Sequence, residues 1–176
     1  MKKISKMIIL EDKLKIPLRK RKTVRGIILN HDKILLVYSS KYDDYLFPGG
    51  GFKGSERKIK ALKRELQEEL GCKEVTSVQA FGYIKESRIS ARDQVPFVQK
   101  SFYYLCEISG EGEQKLEEDE IEYGVIPTWI NIDEAIIHNS RVVDDEAHQK
   151  IGIRTVLHRE IVVLKKIKEM LEDEKI

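Results

Sequence analysis

Residues 50–72 of the chain read GGFKGSERKIKALKRELQEELGC, and this stretch decides how the rest of the sequence is interpreted. Its second half has the apolar period of a helix, which we predict from Ser55 to Leu70 with Gly71 as the C-terminal cap. On a helical wheel with about 100° per residue, three glutamates share an arc of roughly 100°. An apolar stripe lies directly beside that arc, which predicts that the carboxylates lie at the edge of the buried face. The glutamates are Glu65, Glu68 and Glu69, and the apolar residues are Ile59, Leu62, Leu66 and Leu70.

Several carboxylates on one side of a helix have two interpretations. Glutamates three and four residues apart repel each other, and a position at the border of a core raises that cost. A divalent cation removes it, because carboxylate oxygens are the hard ligands that Mg²⁺ and Mn²⁺ prefer. Taken alone, however, a glutamate-rich stretch is typical of a solvated helix face, and Arg64–Glu68 and Glu56–Lys60 are ordinary ion pairs four residues apart.

The spacing of the residues around the glutamates favours the first interpretation. They follow the pattern G-x5-E-x7-R-E-U-x-E-E-x-G-U, in which U is apolar, and this resembles the Nudix box, the signature of the Nudix hydrolase family. All seven fixed letters are present, a coincidence expected on the order of once in 10⁹ windows from average residue usage. The last apolar position is Cys72, a small departure because a buried cysteine behaves as a small hydrophobe. The fixed letters are met by Gly50, Glu56, Arg64, Glu65, Glu68, Glu69 and Gly71.

The resemblance implies a role for each charged residue of the box. Glu65, Glu68 and Glu69 are the expected ligands of Mg²⁺ or Mn²⁺, and Glu65, Glu68 and Arg64 are the expected catalytic residues. Arg64 and Glu56 are expected behind the ligands, with Arg64 fixing the orientation of a ligating glutamate. A carboxylate must also accept a proton from the attacking water, and Glu68 is one candidate for that base.

Diphosphate chemistry is the function that the resemblance implies. Gly50, Gly51 and Glu56 are the residues expected at the diphosphate, because glycines let the backbone approach the substrate or the box helix without a Cβ clash. We therefore expect a nucleotide pyrophosphohydrolase that cuts the phosphoanhydride bond of a nucleoside diphosphate linked to another group. Nucleoside triphosphates, oxidised nucleotides, ADP-ribose-like sugar nucleotides and capped RNA ends all fit. Loops such as 39–45 and 86–96 are expected to choose among them.

A further ligand is expected from outside the box, since many members of the family take another glutamate near the tryptophan that follows the central sheet. Thr128 precedes Trp129 here, so that position supplies no acid. Glu118, Glu120 and Glu122 lie slightly upstream in an acidic stretch, and each is a candidate. A solvated loop is the alternative for all three.

The flanking sequence is typical of an α+β fold, because apolar strands dominate the middle of the chain and helices are few. The resemblance implies an α/β/α sandwich with a mixed central sheet and a long C-terminal helix, predicted here over 152–174. We expect a single domain over 1–176, with residues 1–20 as an N-terminal strand extension that includes a strand over 13–16. The other predicted strands are Val24–Leu29, Lys33–Tyr38, Val75–Lys85, Phe97–Ile108 and Ile126–Ile130.

Charge and cysteine usage limit the partners. The chain has 32 basic and 30 acidic residues, for a net charge of +2, so a stable nucleic-acid partner is not expected, whereas small anionic substrates remain compatible. The basic run 19–22 is a solvated connector in the simplest interpretation, with attraction of phosphate as the alternative.

Cys72 and Cys106 lie in apolar patterns, which favours free thiols in a reducing compartment. No apolar run has the length of a membrane span or a signal-peptide core, so we expect a cytoplasmic monomer or homodimer.

Three other interpretations explain less of the sequence. Gly49, Gly51 and Gly54 match the dinucleotide-binding pattern G-x-G-x-x-G, but that fold needs repeated β-α-β units and a helix N-terminus free of carboxylates. A catalytically silent nucleotide-binding module of the Nudix fold commonly lacks box carboxylates, and this chain keeps them all. A Nudix-fold isomerase acting on an isoprenoid diphosphate needs a catalytic cysteine, whereas Cys106 lies in an apolar strand.

Overall fold

The computed structural model describes residues 1–8, 19–89, 95–145 and 151–173 of the chain. Within these ranges the chain forms eight strands and four helices. The strands are β1 (Lys2–Ile8), β2 (Arg19–Ile27), β3 (Leu29–Asn30), β4 (Lys33–Ser39), β5 (Asp44–Leu46), β6 (Cys72–Ile89), β7 (Pro96–Glu111) and β8 (Val125–Asn131). The helices are α1 (Lys58–Leu70), α2 (Glu118–Tyr123), α3 (Ile132–Asp144) and α4 (Ile151–Asp173).

The strands form two sheets, and the chain passes back and forth between them. The first sheet has the order β1-β6-β7-β2, and in it β6 and β7 are antiparallel, whereas β1 pairs with β6 and β2 pairs with β7 in parallel. In the second sheet β4 pairs antiparallel with β3, β5 and β8. Only Ile28 separates β2 from β3. The mixed strand directions that the sequence predicts are thus confirmed.

Alternation along the strands produces a hydrophobic core on each face of the sheet. Phe102 and Tyr104 of β7 lie in one core with Leu66 of α1. Tyr103, between them in sequence, lies in a second core with Leu164 of α4. Successive side chains of a strand point to opposite faces, so α1 covers one face while α3 and α4 cover the other. This arrangement is the predicted α/β/α sandwich.

Helix α1 begins later than the sequence predicts and ends where it predicts. Its first residue is Lys58 rather than Ser55. Gly71 follows the last turn with φ 66°, in the left-handed region that glycine adopts most readily, and its N–H donates to the Gln67 carbonyl at 3.1 Å. The predicted C-terminal cap is confirmed, and it turns the chain directly into β6.

Several predicted boundaries need correction. β6 continues to Ile89 and β7 begins at Pro96, so residues 86–89 and 96 of the predicted loop 86–96 are strand, and residues 90–94 lie outside the described residues. The basic run 19–22 begins β2 with exposed side chains and is not a connector. The strand predicted over 13–16 lies outside the described residues. Helix α4 confirms the predicted C-terminal helix to within one residue at each end.

Candidate metal centre

The buried face of α1 carries two of the predicted glutamates. Glu65 and Glu69 are each only 7% exposed. On the helical wheel the buried residues span about 140°, and both carboxylates lie near the middle of that arc. The prediction that they lie at the edge of the packed face is therefore wrong, as is the predicted burial of Ile59, which is 41% exposed. The other buried residues of the helix are Ala61, Leu62 and Leu66.

A glycine-rich segment, residues 48–51, covers these two carboxylates, and this is why the buried face is rotated towards them. The segment runs along β2, held by backbone hydrogen bonds of 3.0 Å from Val24 N and 2.8 Å from Gly26 N. Gly49 N donates to Glu69 Oε2 at 2.6 Å. One peptide group thereby fixes a carboxylate that the helix alone would leave free to rotate.

The segment fits only because two of its residues have no side chain. Gly49 has φ 125°, and a Cβ there would lie 2.3 Å from the Val24 carbonyl oxygen. A Cβ on Gly50 would lie 2.5 Å from Glu65 Oε2. The sequence predicts a close approach at Gly50, and the structure shows that the group approached is a glutamate of the same site.

The segment is also anchored from behind by charged side chains of β2 and α4. Phe47 N donates to Glu160 Oε2 at 2.9 Å, and Arg25 Nη1 donates to the Phe47 carbonyl at 2.9 Å and to the Gly49 carbonyl. The Arg25 Nε atom is buried and has no hydrogen-bond partner among the described residues. These hydrogen bonds join the sheet, the C-terminal helix and the glycine segment behind the carboxylates.

Replacement of Gly50 by alanine, compared with the same replacement of Gly51, tests whether the backbone at Gly50 closely approaches Glu65. We expect Gly50→Ala to lower the free energy of unfolding by about 1–3 kcal/mol, because the added methyl group overlaps a buried carboxylate. Gly51→Ala is the matched control, since the nearest atom to its Cβ would be Arg21 Nη2 at 4.0 Å, and it should change that free energy by less than about 0.5 kcal/mol. Urea denaturation followed by circular dichroism measures both. Equal effects would contradict the close approach.

Arg64 organises the charged residues of the box. Its Nη1 lies 2.8 Å from Glu65 Oε1 and 2.8 Å from Glu68 Oε2, and its Nη2 donates to Glu56 Oε1 at 2.6 Å and to the Gly51 carbonyl at 3.1 Å. The Arg64 guanidinium and the Lys53 N–H lower the pKa of Glu56 to about 2. Both charges of this pair persist at neutral pH, so Arg64 holds the glutamates in fixed rotamers, as the sequence predicts for it.

Glu68 has a different environment from the other two glutamates. It accepts from Arg64, and its Oε2 lies 3.6 Å from Lys53 Nζ. Its side chain is 24% exposed, whereas that of Glu65 is 10% exposed. Glu68 therefore faces water beside the buried pair. Its predicted role as a metal ligand stays a prediction.

A third carboxylate reaches the buried pair from outside the helix. Glu65, Glu69 and Glu120 each offer an oxygen, and these atoms lie within 4.8 Å of one another. Glu120 belongs to α2, so the part of the acidic stretch that carries the three candidates is a short helix and not the solvated loop of the alternative interpretation. Of the three outer candidates, Glu122 instead pairs with Lys41. Glu118 is exposed and, like Glu122, is outside the described group of carboxylates.

Burial disfavours negative charge on the two inner carboxyl groups of this site. It raises the pKa of Glu69 to about 8, with Glu120 and Glu65 adding to the rise and with Arg25 and the Gly49 N–H opposing it. Burial also raises the pKa of Glu65, against the opposing effect of Arg64. A divalent cation would compensate this charge, and carboxylate oxygens from two separate segments are a donor set that Mg²⁺ or Mn²⁺ accepts. The residues present thus fit a hard divalent metal ion.

The structure brings together most of the predicted site and adds one residue that the sequence analysis missed. Glu65, Glu69 and the Gly50 backbone meet within the site, with Arg64 beside them. Arg25 was missed, although it influences the charge of both buried glutamates. A signal existed, because Arg25 is the one charged residue within the apolar run Val24–Leu29. A lone cation in an otherwise buried strand indicates a buried partner.

The chain is similar to known proteins in its family and in its fold. The NUDIX domain family matches residues 19–151. A mutator MutT protein from Bacillus halodurans is 21% identical with a TM-score of 0.54, over 80% of this chain and 84% of that one. A NUDIX hydrolase from Nitrosomonas europaea is 21% identical with a TM-score of 0.52, over 76% of this chain and 92% of that one. An ADP compounds hydrolase is 16% identical with a TM-score of 0.53, over 90% of this chain and 76% of that one. No curated protein matches the chain.

Proposed function

Because the chain belongs to the NUDIX domain family, we propose that it is a Mg²⁺- or Mn²⁺-dependent hydrolase that cuts the diphosphate bond of a nucleoside diphosphate linked to another group. Nucleoside triphosphates, oxidised nucleotides and ADP-ribose-like sugar nucleotides are the substrate classes proposed. The similar solved structures support this chemistry through their fold alone. Among the described residues, no helix is long and apolar enough to cross a membrane.

The observation that carries the proposal is the convergence of Glu65, Glu69 and Glu120 within 4.8 Å. Two of them are buried, and the pKa of each buried one is raised. Placing three acids together under a glycine segment destabilises the folded protein unless a cation is bound, so the arrangement serves ligation rather than stability. These three residues would hold the ion. When bound, the ion supplies charge neutralisation for a diphosphate and lowers the pKa of a water molecule.

The remaining residues position and protect this group. Arg64 holds Glu65 in one rotamer through a contact of 2.8 Å, and Gly49 N holds Glu69. The segment 48–51 covers the carboxylates, each only 7% exposed, and is itself held by hydrogen bonds to β2 and Arg64. Such pre-organisation removes the reorganisation that free side chains would need before each turnover.

Glu68 is the carboxylate that we propose as the proton acceptor for the attacking water. It lies next to the buried group on the same helix, yet its partial exposure lets water reach it. Its contacts with Arg64 and Lys53 fix the direction of the carboxylate towards the site. Glu65 and Glu69 are covered by the glycine segment and are each only 7% exposed, so an attacking water molecule reaches them less readily.

The experiment that tests the function is a panel of nucleoside triphosphates, oxidised nucleotides and sugar nucleotides assayed with Mg²⁺ or Mn²⁺. Released phosphate, pyrophosphate and mononucleotide are measured. We expect turnover of at least one class that stops with a chelator, and loss of about 10²- to 10⁴-fold in kcat for Glu68→Gln. Glu74→Gln, an exposed acid on β6, is the control and should keep the parental rate.

The outcomes separate the alternatives. Parental turnover by Glu68→Gln would remove Glu68 from the chemistry while leaving the metal site intact. Absence of turnover for the whole panel, with nucleotide binding preserved, would replace the enzyme by a silent nucleotide-binding module of the same fold.

A further inference from the structure

A basic groove lies beside the candidate metal centre, between the start of β2 and the start of α1. Its volume is about 1170 Å³. Two of its lining residues, Gly51 and Glu56, also belong to the site described above, so the groove and the site share a wall. The Glu56 carboxylate is already bound by Arg64. The cations that line the groove are Lys20, Arg21, Lys22, Arg57 and Lys58.

The positive charge continues from the groove across the sheet. In the strand register Lys22 of β2 lies opposite Lys100 of β7, and Lys100 lies opposite Lys85 of β6. Residues directly opposite each other in neighbouring strands share a face, at a strand spacing of about 4.8 Å. Like charges at such positions destabilise a sheet. An anionic ligand would offset the repulsion within this row of three lysines.

The start of α1 adds a second, independent source of positive potential. The N-cap residue Arg57 makes no side-chain capping hydrogen bond, and the first turn contains no acidic residue. Lys58 and Lys60 occupy that turn instead. A helix N-terminus carries partial positive charge, so acids rather than lysines stabilise it. The groove thus combines free backbone donors with side-chain cations, which is the arrangement that binds phosphate.

The aromatic residues of this surface argue against recognition of nucleobases. Lys58 Nζ lies 4.0 Å from the Phe102 ring centroid, and Lys100 Nζ lies 3.8 Å from that of Tyr83. Phe102 is only 5% exposed and Tyr104 only 6%. Bases need open aromatic faces for stacking, whereas lysines on aromatic rings present point charges. Phe52 is the half-buried aromatic residue of the groove lining, and the five cations around it favour phosphates over bases.

We propose that the groove binds a chain of phosphates that continues beyond the bond cut at the glutamates. This assignment rests on the proposed function and narrows it: the preferred substrate carries more than two phosphates in series. Sugar nucleotides with a single diphosphate would leave the groove empty. The five groove cations and the lysine row supply charge for several phosphate groups, and the shared wall at Gly51 connects the two parts of such a substrate.

A binding experiment tests the groove without any catalysis. Inorganic tripolyphosphate is titrated into metal-free protein by calorimetry, where the unneutralised glutamates repel phosphate and only the groove attracts it. We expect binding that weakens with salt, and a loss of about tenfold in affinity for Lys20→Thr/Lys22→Thr. The control Lys33→Thr/Lys165→Ala removes the same charge from exposed positions outside the groove and should bind like the parent.

Two further arms decide what the groove recognises. With turnover established, Lys20→Thr/Lys22→Thr should raise KM about tenfold for a dinucleoside tetraphosphate and leave KM for ADP-ribose unchanged. A 5′-phosphorylated single-stranded oligonucleotide should bind more weakly than tripolyphosphate of equal charge. Equal tripolyphosphate affinity in parent and groove variant would overturn the proposal, and tighter oligonucleotide binding would reassign the groove to nucleic acid. Failure of the proposed function would remove all turnover without changing the titration.

Discussion

Replacement of Glu69 by glutamine is expected to abolish metal-dependent hydrolysis while making the metal-free protein more stable. The amide keeps the size of the side chain and can still accept from Gly49 N, which lies 2.6 Å from Glu69 Oε2. It cannot supply the negative charge that a divalent ion requires, so we expect kcat to fall by about 10³-fold or more. The buried charge also disappears, which removes a penalty on folding.

The dependence of folding stability on pH should also differ between the parent protein and Glu69→Gln. Burial raises the pKa of Glu69 to about 8 from its ordinary value near 4.5, so the folded protein binds a proton that the unfolded chain has lost. Stability of the metal-free protein therefore falls as the pH rises from about 4.5 to about 8, by an amount on the order of several kcal/mol. In Glu69→Gln most of this pH-dependent fall in stability should be absent. Because metal binding displaces that proton, Mg²⁺ should raise the melting temperature of the parent more at pH 8 than at pH 6.

Thermal unfolding in a chelator, with and without added Mg²⁺, measures these stability effects, and Glu74→Gln serves again as the exposed control. A variant that hydrolyses its substrate at the parental rate would exclude Glu69 from the metal site. A metal-free parent whose stability is constant from pH 5 to about 8 would show that Glu69 is already ionised in the folded protein.

Loss of Glu120 should have the second-largest effect, and α2 offers its own controls. Glu120 is the carboxylate of this helix that lies within 4.8 Å of Glu65 and Glu69. We expect Glu120→Gln to raise the Mg²⁺ concentration for half-maximal activity by about 10- to 100-fold. Glu118→Gln removes the same charge from an exposed position two residues before Glu120. Glu122→Gln removes it from the residue that pairs with Lys41.

The metal titration of activity distinguishes a ligand from a merely acidic neighbour. If long-range charge were the cause, all three variants would shift the Mg²⁺ requirement alike. If Glu120 is a ligand, only its variant shifts strongly, and higher Mg²⁺ partly restores its rate. Glu120 Oε2 also accepts from Glu117 N at 2.7 Å, which caps the helix, so the glutamine side chain is chosen to keep an acceptor there.

The sequence predicts those parts of the site that depend on local spacing. Helical periodicity brings Glu65 and Glu69 to one side of α1, and Gly71 ends that helix because its φ of 66° suits glycine. Periodicity cannot show what covers a helix, however. The apolar stripe alone predicts burial centred near Leu66, whereas the segment 48–51 covers the carboxylates and leaves Ile59 exposed.

Tertiary contacts account for the rest. Glu118, Glu120 and Glu122 are equivalent in a linear sequence, and the position of α2 beside α1 selects Glu120. Arg25 reaches the carbonyls of Phe47 and Gly49 only because those residues return along β2. Such pairings join residues about twenty or more positions apart, a separation that no local pattern encodes.

The exposed cations at the start of β2 have a consequence for self-association. β2 is the outermost strand of its sheet, and its backbone is bridged to the glycine segment at Thr23. Ahead of that bridge, four successive exposed side chains are basic. An identical strand approaching this rim would bring two such cationic runs against each other, a repulsion that discourages edge-to-edge aggregation. Any symmetric pair of protomers would therefore avoid this rim, unless bound polyanions first neutralised it.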